Sequence, residues 1–202
     1  MLPYAGTIGQ AAVAADVTLF KIINTHHTLF FDWFFLFVSN LGNGWVVIPL
    51  FFALILWRTL KGRKIHILIY AAAALSISGA CNGVLKHYVG RPRPPIYFVS
   101  SNVKAAPENG RPYVVHVVGE RLHDHSFPSG HAQMAFALAT LVVLIFGRRF
   151  WPMFLVAMAV AYSRVYMGVH FPLDVLAGAC LGSIIVVVTW HGAAIFAPAK
   201  SS

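Results

Sequence analysis

The sequence has few charged residues: Asp, Glu, Lys and Arg make up 10% of its 202 positions, against about a quarter in ordinary globular proteins. Apolar residues make up 58%, and the mean hydropathy is +0.72. A soluble domain of this length needs more polar surface than such a composition supplies. The sequence therefore predicts an integral membrane protein, with residues 1–202 forming a single domain.

Cysteine is also scarce. The two cysteines, Cys81 and Cys180, both lie inside apolar segments, where thiols usually serve as small packing residues. The sequence therefore predicts neither a disulfide framework nor a cysteine-ligated metal. The N-terminus has no basic residues ahead of an apolar stretch, so a cleaved signal peptide is not expected.

Apolar runs long enough to form membrane helices recur along the chain. Residues 1–43 are predicted to be an interfacial N-terminal segment, with a surface helix over 8–26 and an aromatic-rich stretch over 30–41. A sixth span within this segment is the alternative. The predicted fold class is an all-α bundle of five, alternatively six, transmembrane helices with one long extracytoplasmic loop. The five spans are predicted at 44–57, 65–85, 131–147, 151–166 and 172–196.

The charge distribution predicts the topology. The net charge is +9, but the basic residues do not gather on one soluble face, so no nucleic-acid partner is predicted. The short connections 58–64 and 148–150 are basic, which places both on the cytoplasmic side. The helix 65–85 then carries Lys86 to the opposite face, and the polar segment 86–130 is predicted to be the extracytoplasmic loop.

Helix length brings distant residues to that same face. At about 1.5 Å per residue, the spans 131–147 and 151–166 cover nearly equal distances in opposite directions. His131 begins the first span, and Arg164 and His170 lie at the end of the second. Ionisable groups at membrane depth are costly and usually functional.

Three clusters therefore converge: Lys86 with Arg93-Pro94, Pro128-Ser129-Gly130-His131, and Ser163-Arg164 with His170 and Asp174. Fixed cations beside a helix N-terminus favour a doubly charged anion, most simply phosphate. A histidine with a nearby carboxylate is typical of an activated nucleophile. Because the nearest substrate pool is lipid, the predicted substrate is a phosphorylated lipid headgroup.

Each of these residues alone has an ordinary structural explanation. A lysine at the end of a span is usually an anchor, and a serine before a helix is usually a cap. Their gathering on one face with a His–Asp pair favours function. The run His123-Asp124-His125 is weak evidence for a metal site, and a solvated loop or a substrate contact is favoured there.

The three clusters resemble the signature of the type 2 phosphatidic acid phosphatase superfamily, which is related to the vanadium haloperoxidases. Its motifs, Lys-x6-Arg-Pro, Pro-Ser-Gly-His and Ser-Arg-x5-His-x3-Asp, match residues 86–174 in order. The resemblance implies a mechanism without metal or cofactor, in which His170 attacks phosphorus and Asp174 orients its ring. His131 would protonate the leaving oxygen. Lys86, Arg93, Ser129, Gly130 and Arg164 would hold the phosphoryl oxygens, with Arg91 as an auxiliary contact.

Two features depart from the family pattern. Many bacterial members begin with a full transmembrane helix before the interfacial segment, and none is predicted here. The loop 95–127 is also longer than in small relatives. Its residues Tyr97, Phe98, Tyr113 and His116 are predicted to form a lid or a headgroup-selecting surface.

The predicted function is hydrolysis of a lipid phosphate or pyrophosphate in the bacterial inner (cytoplasmic) membrane, with the site facing the periplasm or the cell exterior. The substrates considered are phosphatidylglycerophosphate, undecaprenyl pyrophosphate, phosphatidic acid and lipid A phosphates. A lipid phosphotransferase is the alternative that the sequence leaves open. An anion or lipid transporter is disfavoured because the chain shows no pair of related halves. Oligomeric state is not predicted.

Overall fold

The computed structural model describes residues 7–45, 48–49, 51–53, 56, 66–100, 113–119 and 124–195. Within these ranges the regular structure is entirely helical, which confirms the all-α fold class. A 3₁₀ turn, Arg148–Phe150, joins the fifth and sixth helices, and the described residues between 44 and 56 are also helical. The helices are α1 (Thr7–Thr25), α2 (Leu29–Asn40), α3 (His66–Val89), α4 (Pro94–Ser100), α5 (Gly130–Phe146), α6 (Met153–Tyr166) and α7 (Pro172–Ile195).

Two helical stretches, Ile67–Val99 and Pro172–Gly192, are long and apolar enough to cross a membrane. The first joins α3 to α4 across the non-helical residues 90–93. Leu29–Asn40 and Gly130–Phe146 are shorter apolar helices. The number of spans stays a prediction. The predicted cytoplasmic connection 58–64, and His123 of the weak metal motif, lie outside the described residues.

The outer face of α2 consists of exposed apolar side chains. Leu29, Phe30, Trp33 and Phe37 are between 66% and 80% exposed. An apolar surface of this extent is typical of a face that meets lipid.

Two buried clusters hold the bundle together. The first lies between α3, α5 and α7, where Leu75, Leu141 and Val186 pack together. The second joins α2 to α5 and α6 through Val38 and Val160. The helix α5 contributes to both clusters, so it packs against α3 and α7 on one side and against α2 and α6 on the other.

The helices α5 and α7 approach each other through two glycines. A Cβ atom on Gly178 would overlap the carbonyl oxygen of Ser129, and one on Gly182 would overlap that of Gln133. Small residues four positions apart allow such close approach in membrane helix pairs. The approach brings the start of α5 to the start of α7, where the Ser129 N–H donates to the Asp174 carbonyl oxygen at 2.9 Å.

The described part of the segment 86–130 includes helical residues as well as loop residues. The helix α3 continues to Val89, so Lys86 lies in its last turn, where a cation interacts favourably with the helix dipole. Gly90 ends the helix with a φ of 59°, a conformation that favours glycine. The helix α4 then begins at Pro94. Charge alone marked Lys86 as a loop residue, whereas the cation in fact completes the helix.

The glycine contact predicts an asymmetry between two substitutions on α7. Gly182→Ala should lower the free energy of unfolding by about 1–3 kcal/mol, because the new Cβ pushes α5 and α7 apart. In Gly192→Ala the Cβ meets nothing within 4 Å, so stability should stay unchanged or rise slightly through helix propensity. Thermal unfolding in detergent measures both. Equal losses would contradict the close packing of α5 and α7.

Candidate functional site

Arg93 and His170 meet at the end of the bundle where α7 begins. The Arg93 Nη1 donates to the Val169 carbonyl oxygen at 2.9 Å and lies 3.2 Å from His170 Nε2. A guanidinium is only a donor, so His170 Nε2 is the acceptor and carries a lone pair. The ring proton therefore lies on Nδ1, which faces Asp174 Oδ2 at 3.7 Å. That separation is longer than a hydrogen bond and leaves the pair in electrostatic contact.

His170 is 2% exposed, and this burial determines the charge state of its ring. Burial lowers its pKa to about 4; Asp174 acts in the opposite direction, while Arg93 and Arg164 lower the pKa further. The ring is therefore neutral at physiological pH. A neutral imidazole with its lone pair turned toward a cationic pocket is able to act as a nucleophile.

Asp174 is held by three donors on different parts of the chain. Its Oδ1 accepts from Arg91 Nη1 at 2.7 Å, and its Oδ2 accepts from the Phe171 N–H at 2.8 Å. With the backbone contact to Ser129, the residue joins three separate segments. Its side chain is fully buried, so its orientation is set by these donors.

Asp16 is a site residue that sequence reasoning missed. Its Oδ2 pairs with Arg91 Nη2 at 2.5 Å, and its Oδ1 accepts from the Leu173 N–H at 2.8 Å. Arg91, predicted as an auxiliary phosphate contact, therefore lies between the buried carboxylates of Asp16 and Asp174. The available signal was an aspartate inside an apolar helix, since such a charge is usually paired or functional.

Lys86 and Arg93 share a counter-ion, Asp124. The Lys86 Nζ lies 2.6 Å from Asp124 Oδ2, and Arg93 Nη2 lies 2.5 Å from Oδ1. Burial alone would raise the pKa of Asp124, but the Lys86 hydrogen bond and the Arg93 charge lower it to about 2. The ionised carboxylate pairs with two cations that the sequence predicts to be phosphate ligands. Its side chain is 54% exposed, so it is able to move aside.

Arg164 is buried with one donor unused. Its Nη1 donates to the Ser39 hydroxyl, whereas its Nε, like His170 Nδ1, has no hydrogen-bond partner within the described part of the chain. A buried N–H group without a partner calls for an explanation. A bound anion would satisfy the Arg164 donor.

The first turn of α5 completes the cationic surface. Ser129 is the N-cap, and its hydroxyl accepts from the Ala132 N–H at 3.5 Å. The N–H groups of Gly130 and His131 lie in the first turn, where no intrahelical acceptor is available. His131 interacts electrostatically with the cations Arg164, Arg93 and Lys86 and with the His170 ring. All eight predicted site residues are thus gathered at one end of the bundle.

An apolar groove of about 510 Å³ opens beside His131. It runs between the helical residues that follow α2 and the start of α5. His131 is the residue that joins the groove to the cationic pocket. The lining residues are Gly42, Asn43, Gly44, Trp45, Ile48, Pro49, Gly130, His131 and Met134.

The aromatic residues predicted to form a lid or a headgroup-selecting surface pack into a small core beside the site. Tyr97 and Phe98 of α4, together with Tyr113, contact Phe20 of α1 and Phe171. This cluster supports the residues around Arg91 and Asp174. His116 lies elsewhere, and the lid interpretation stays a prediction.

The lowered pKa of His170 predicts how stability depends on pH. Between about pH 4 and pH 6.5, the folded state binds fewer protons than the unfolded state, so the free energy of unfolding should fall as the pH falls through this window. Unfolding midpoints measured across the window should decline less in His170→Gln, which does not titrate. Identical pH profiles would show that His170 is not buried as the neutral form.

Comparison with known proteins gives a family match. Residues 66–195 match the PAP2 superfamily. An undecaprenyl-diphosphatase of Sulfolobus acidocaldarius is 32% identical over 178 residues, which cover 88% of this chain and 78% of the relative. A lipid A 4'-phosphatase of Bacteroides thetaiotaomicron is 35% identical over 175 residues, covering 83% and 72% respectively.

The fold is shared with a solved membrane protein. The crystal structure of the first transmembrane PAP2 type phosphatidylglycerolphosphate phosphatase from Bacillus subtilis matches with a TM-score of 0.74. The match covers 94% of this chain and 90% of that chain at 20% sequence identity. At that identity the likeness concerns the fold alone.

Proposed function

Since the chain belongs to the PAP2 superfamily and is a membrane lipid phosphatase of that type, we propose that it cleaves a lipid phosphate through a phosphohistidine on His170. The observation that carries this proposal is the orientation of the His170 ring. Its Nε2 lone pair faces Arg93, and its Nδ1 faces the buried carboxylate of Asp174.

In the first step, His170 Nε2 forms a bond to phosphorus while the bond from phosphorus to the lipid oxygen breaks. The leaving oxygen takes a proton from His131. The negative charge of the bound phosphate favours the protonated form of His131 at that moment. Asp174 stabilises the positive charge that develops on the His170 ring.

In the second step, water attacks phosphorus and gives a proton to His131. The bond from phosphorus to Nε2 breaks, inorganic phosphate leaves, and Nε2 recovers its lone pair. Because His131 first donates and then accepts a proton, it returns to its starting state after each cycle.

The phosphoryl oxygens are held by Lys86, Arg93, Arg164, the Ser129 hydroxyl and the Gly130 backbone N–H. On arrival, the phosphate replaces Asp124 as the counter-ion of Lys86 and Arg93. Three fixed cations and a helix N-terminus stabilise the developing charge by themselves. We therefore propose that catalysis does not depend on a metal ion.

The position of the groove supports a lipid substrate. The leaving oxygen belongs to the lipid, and His131, its proposed proton donor, borders the apolar groove. The groove therefore receives the lipid portion attached to that oxygen. We propose a multi-pass protein of the bacterial inner membrane, with the site on the periplasmic or exterior side and a phosphate or pyrophosphate lipid as substrate.

Reconstitution into vesicles tests the reaction. The protein is placed in vesicles containing phosphatidic acid, phosphatidylglycerophosphate, undecaprenyl pyrophosphate or lipid A. At a temperature well below the unfolding midpoint and with EDTA present, it should release inorganic phosphate from at least one of these lipids. His170→Ala should lower the rate by about 1000-fold or more, as expected for loss of a nucleophile. His131→Ala should lower it by about 100- to 10,000-fold.

The matched control is His87→Ala, which removes an exposed histidine from the last turn of α3. It should leave the rate unchanged. The mechanism is wrong if EDTA abolishes phosphate release at a temperature where the protein stays folded, or if His170→Ala retains activity.

Arg91 is proposed to position Asp174. In Arg91→Lys the charge remains, but one ammonium group does not reproduce the fixed fork that joins two carboxylates. We expect kcat to fall by up to about 100-fold through misplacement of the His170 ring, with KM little changed. Phosphohistidine formation in a single turnover should slow by the same factor.

Arg148→Lys, an exposed change in the turn between α5 and α6, is the control and should have no effect. A rise in KM at constant kcat in Arg91→Lys would instead show that Arg91 contacts the phosphate.

A further inference from the structure

A second group of chemically active side chains lies apart from the proposed catalytic residues. His27 follows α1, Asp32 lies in α2, and His116 lies in the segment 113–119. His27 Nδ1 is 3.0 Å from Asp32 Oδ1, and His116 Nε2 is 3.5 Å from Asp32 Oδ2. One ligand atom from each residue lies within 4.8 Å of the others.

Asn24 determines which nitrogen of His27 carries the proton. Its amide nitrogen donates to the carbonyl oxygens of His116 and Tyr166, at 2.8 and 3.0 Å, so both of its protons are used. Its amide oxygen accepts from Tyr113 and from the His116 N–H, which fixes the amide orientation.

His27 Nε2 lies 3.4 Å from the Asn24 amide nitrogen, whose two protons are already donated. It also lies 3.0 Å from the Asn24 backbone carbonyl oxygen, which only accepts, so Nε2 is the donor. In neutral imidazole the other nitrogen, Nδ1, is then an acceptor. Two acceptors, His27 Nδ1 and Asp32 Oδ1, face each other at hydrogen-bond distance. Either a second proton or a metal cation must lie between them.

A second imidazole beside the same carboxylate favours a metal. The His116 and His27 ring centroids are 3.7 Å apart, and each ring lies beside one oxygen of Asp32. One cation between the rings and the carboxylate would have all three groups as ligands. The side chain of His116 is 48% exposed, so its ring is able to turn toward the shared ion.

The surrounding contacts are those of a metal site. Ligands bonded tetrahedrally at about 2.0–2.1 Å lie roughly 3.3 Å apart, close to the two separations observed. Metal-binding histidines commonly donate their other N–H to a backbone carbonyl, as His27 does to Asn24. The Tyr166 hydroxyl donates to Asp32 Oδ1 at 2.8 Å and orients the carboxylate.

We propose that His27, Asp32 and His116 bind one divalent transition-metal ion, and that Zn²⁺ fits this donor set of two imidazoles and one carboxylate. Water completes the coordination. The sequence predicted no metal here, because His116 lies far along the chain from His27 and Asp32 and the three residues form no motif.

The metal would fasten the segment 113–119 to the rest of the bundle. The Val118 N–H donates to the Met167 carbonyl oxygen at 3.2 Å. Gly168 has a φ of 74°, and a Cβ there would overlap the His116 carbonyl oxygen. The ion therefore stabilises the end of α6 from outside the phosphate pocket, so it should affect stability and not the chemical step.

Zinc binding to the full-length protein in detergent tests the proposal. After treatment with a chelator and addition of Zn²⁺, elemental analysis of the desalted wild type should give about one zinc per chain, and zinc should raise the unfolding midpoint by several degrees. His116→Ala should lose both effects. His26→Ala, which removes the neighbouring exposed histidine, should keep both.

Tyr166→Phe provides a second measurement. Losing the hydrogen bond to Asp32 should weaken zinc binding by roughly 10- to 100-fold, while the three ligands remain. Absence of zinc from the wild type, or equal zinc in His116→Ala, would overturn the proposal.

Phosphate release at low temperature separates this proposal from the catalytic one. The metal-free wild type should turn over at the rate of the zinc-loaded wild type. A rate that follows zinc content while the protein remains folded would show that the ion takes part in turnover and overturn its stabilising role. If His170→Ala loses activity but keeps zinc binding, the metal site is independent of the proposed catalytic residues.

Discussion

The buried carboxylate of Asp174 is the constraint on which the rest of the site depends. A buried charge is costly unless it is paired and hydrogen-bonded. Asp174 meets this condition through Arg91 and the Phe171 N–H, and Arg91 in turn requires Asp16 of α1. The pairing brings α1, the turn after α3 and the start of α7 together. The orientation of His170 is one result of that pairing.

The proposed phosphate pocket imposes a second electrostatic constraint. Lys86, Arg93 and Arg164 gather at one end of the bundle, where their positive charges repel one another. Asp124 reduces the repulsion by pairing with two of these cations, and its half-exposed position allows it to be replaced. In the proposed mechanism, an entering phosphate therefore exchanges one anion for another, while the cations stay preorganised.

Helix packing determines where the proposed catalytic residues lie relative to the apolar groove. Gly178 and Gly182 let α7 pass close to the backbone of α5, which fixes Ser129 and Gly130 beside Asp174. The next residue, His131, borders the apolar groove. The cationic pocket and the apolar groove are thus neighbours at the start of α5.

Composition, hydropathy and motif spacing were enough to predict the all-α fold, the membrane setting and the eight residues that gather at one end of the bundle. These features are local, or follow from helix length alone. The tertiary structure decided which groups contact each other. It determined which nitrogen of His170 carries the ring proton, the pairing of Arg91 with two carboxylates, and the contact of Asp124 with two cations. Asp16 and Leu173 are 157 positions apart. The periodicity of the sequence cannot predict such a contact, because the contact forms only when α1 packs against α7.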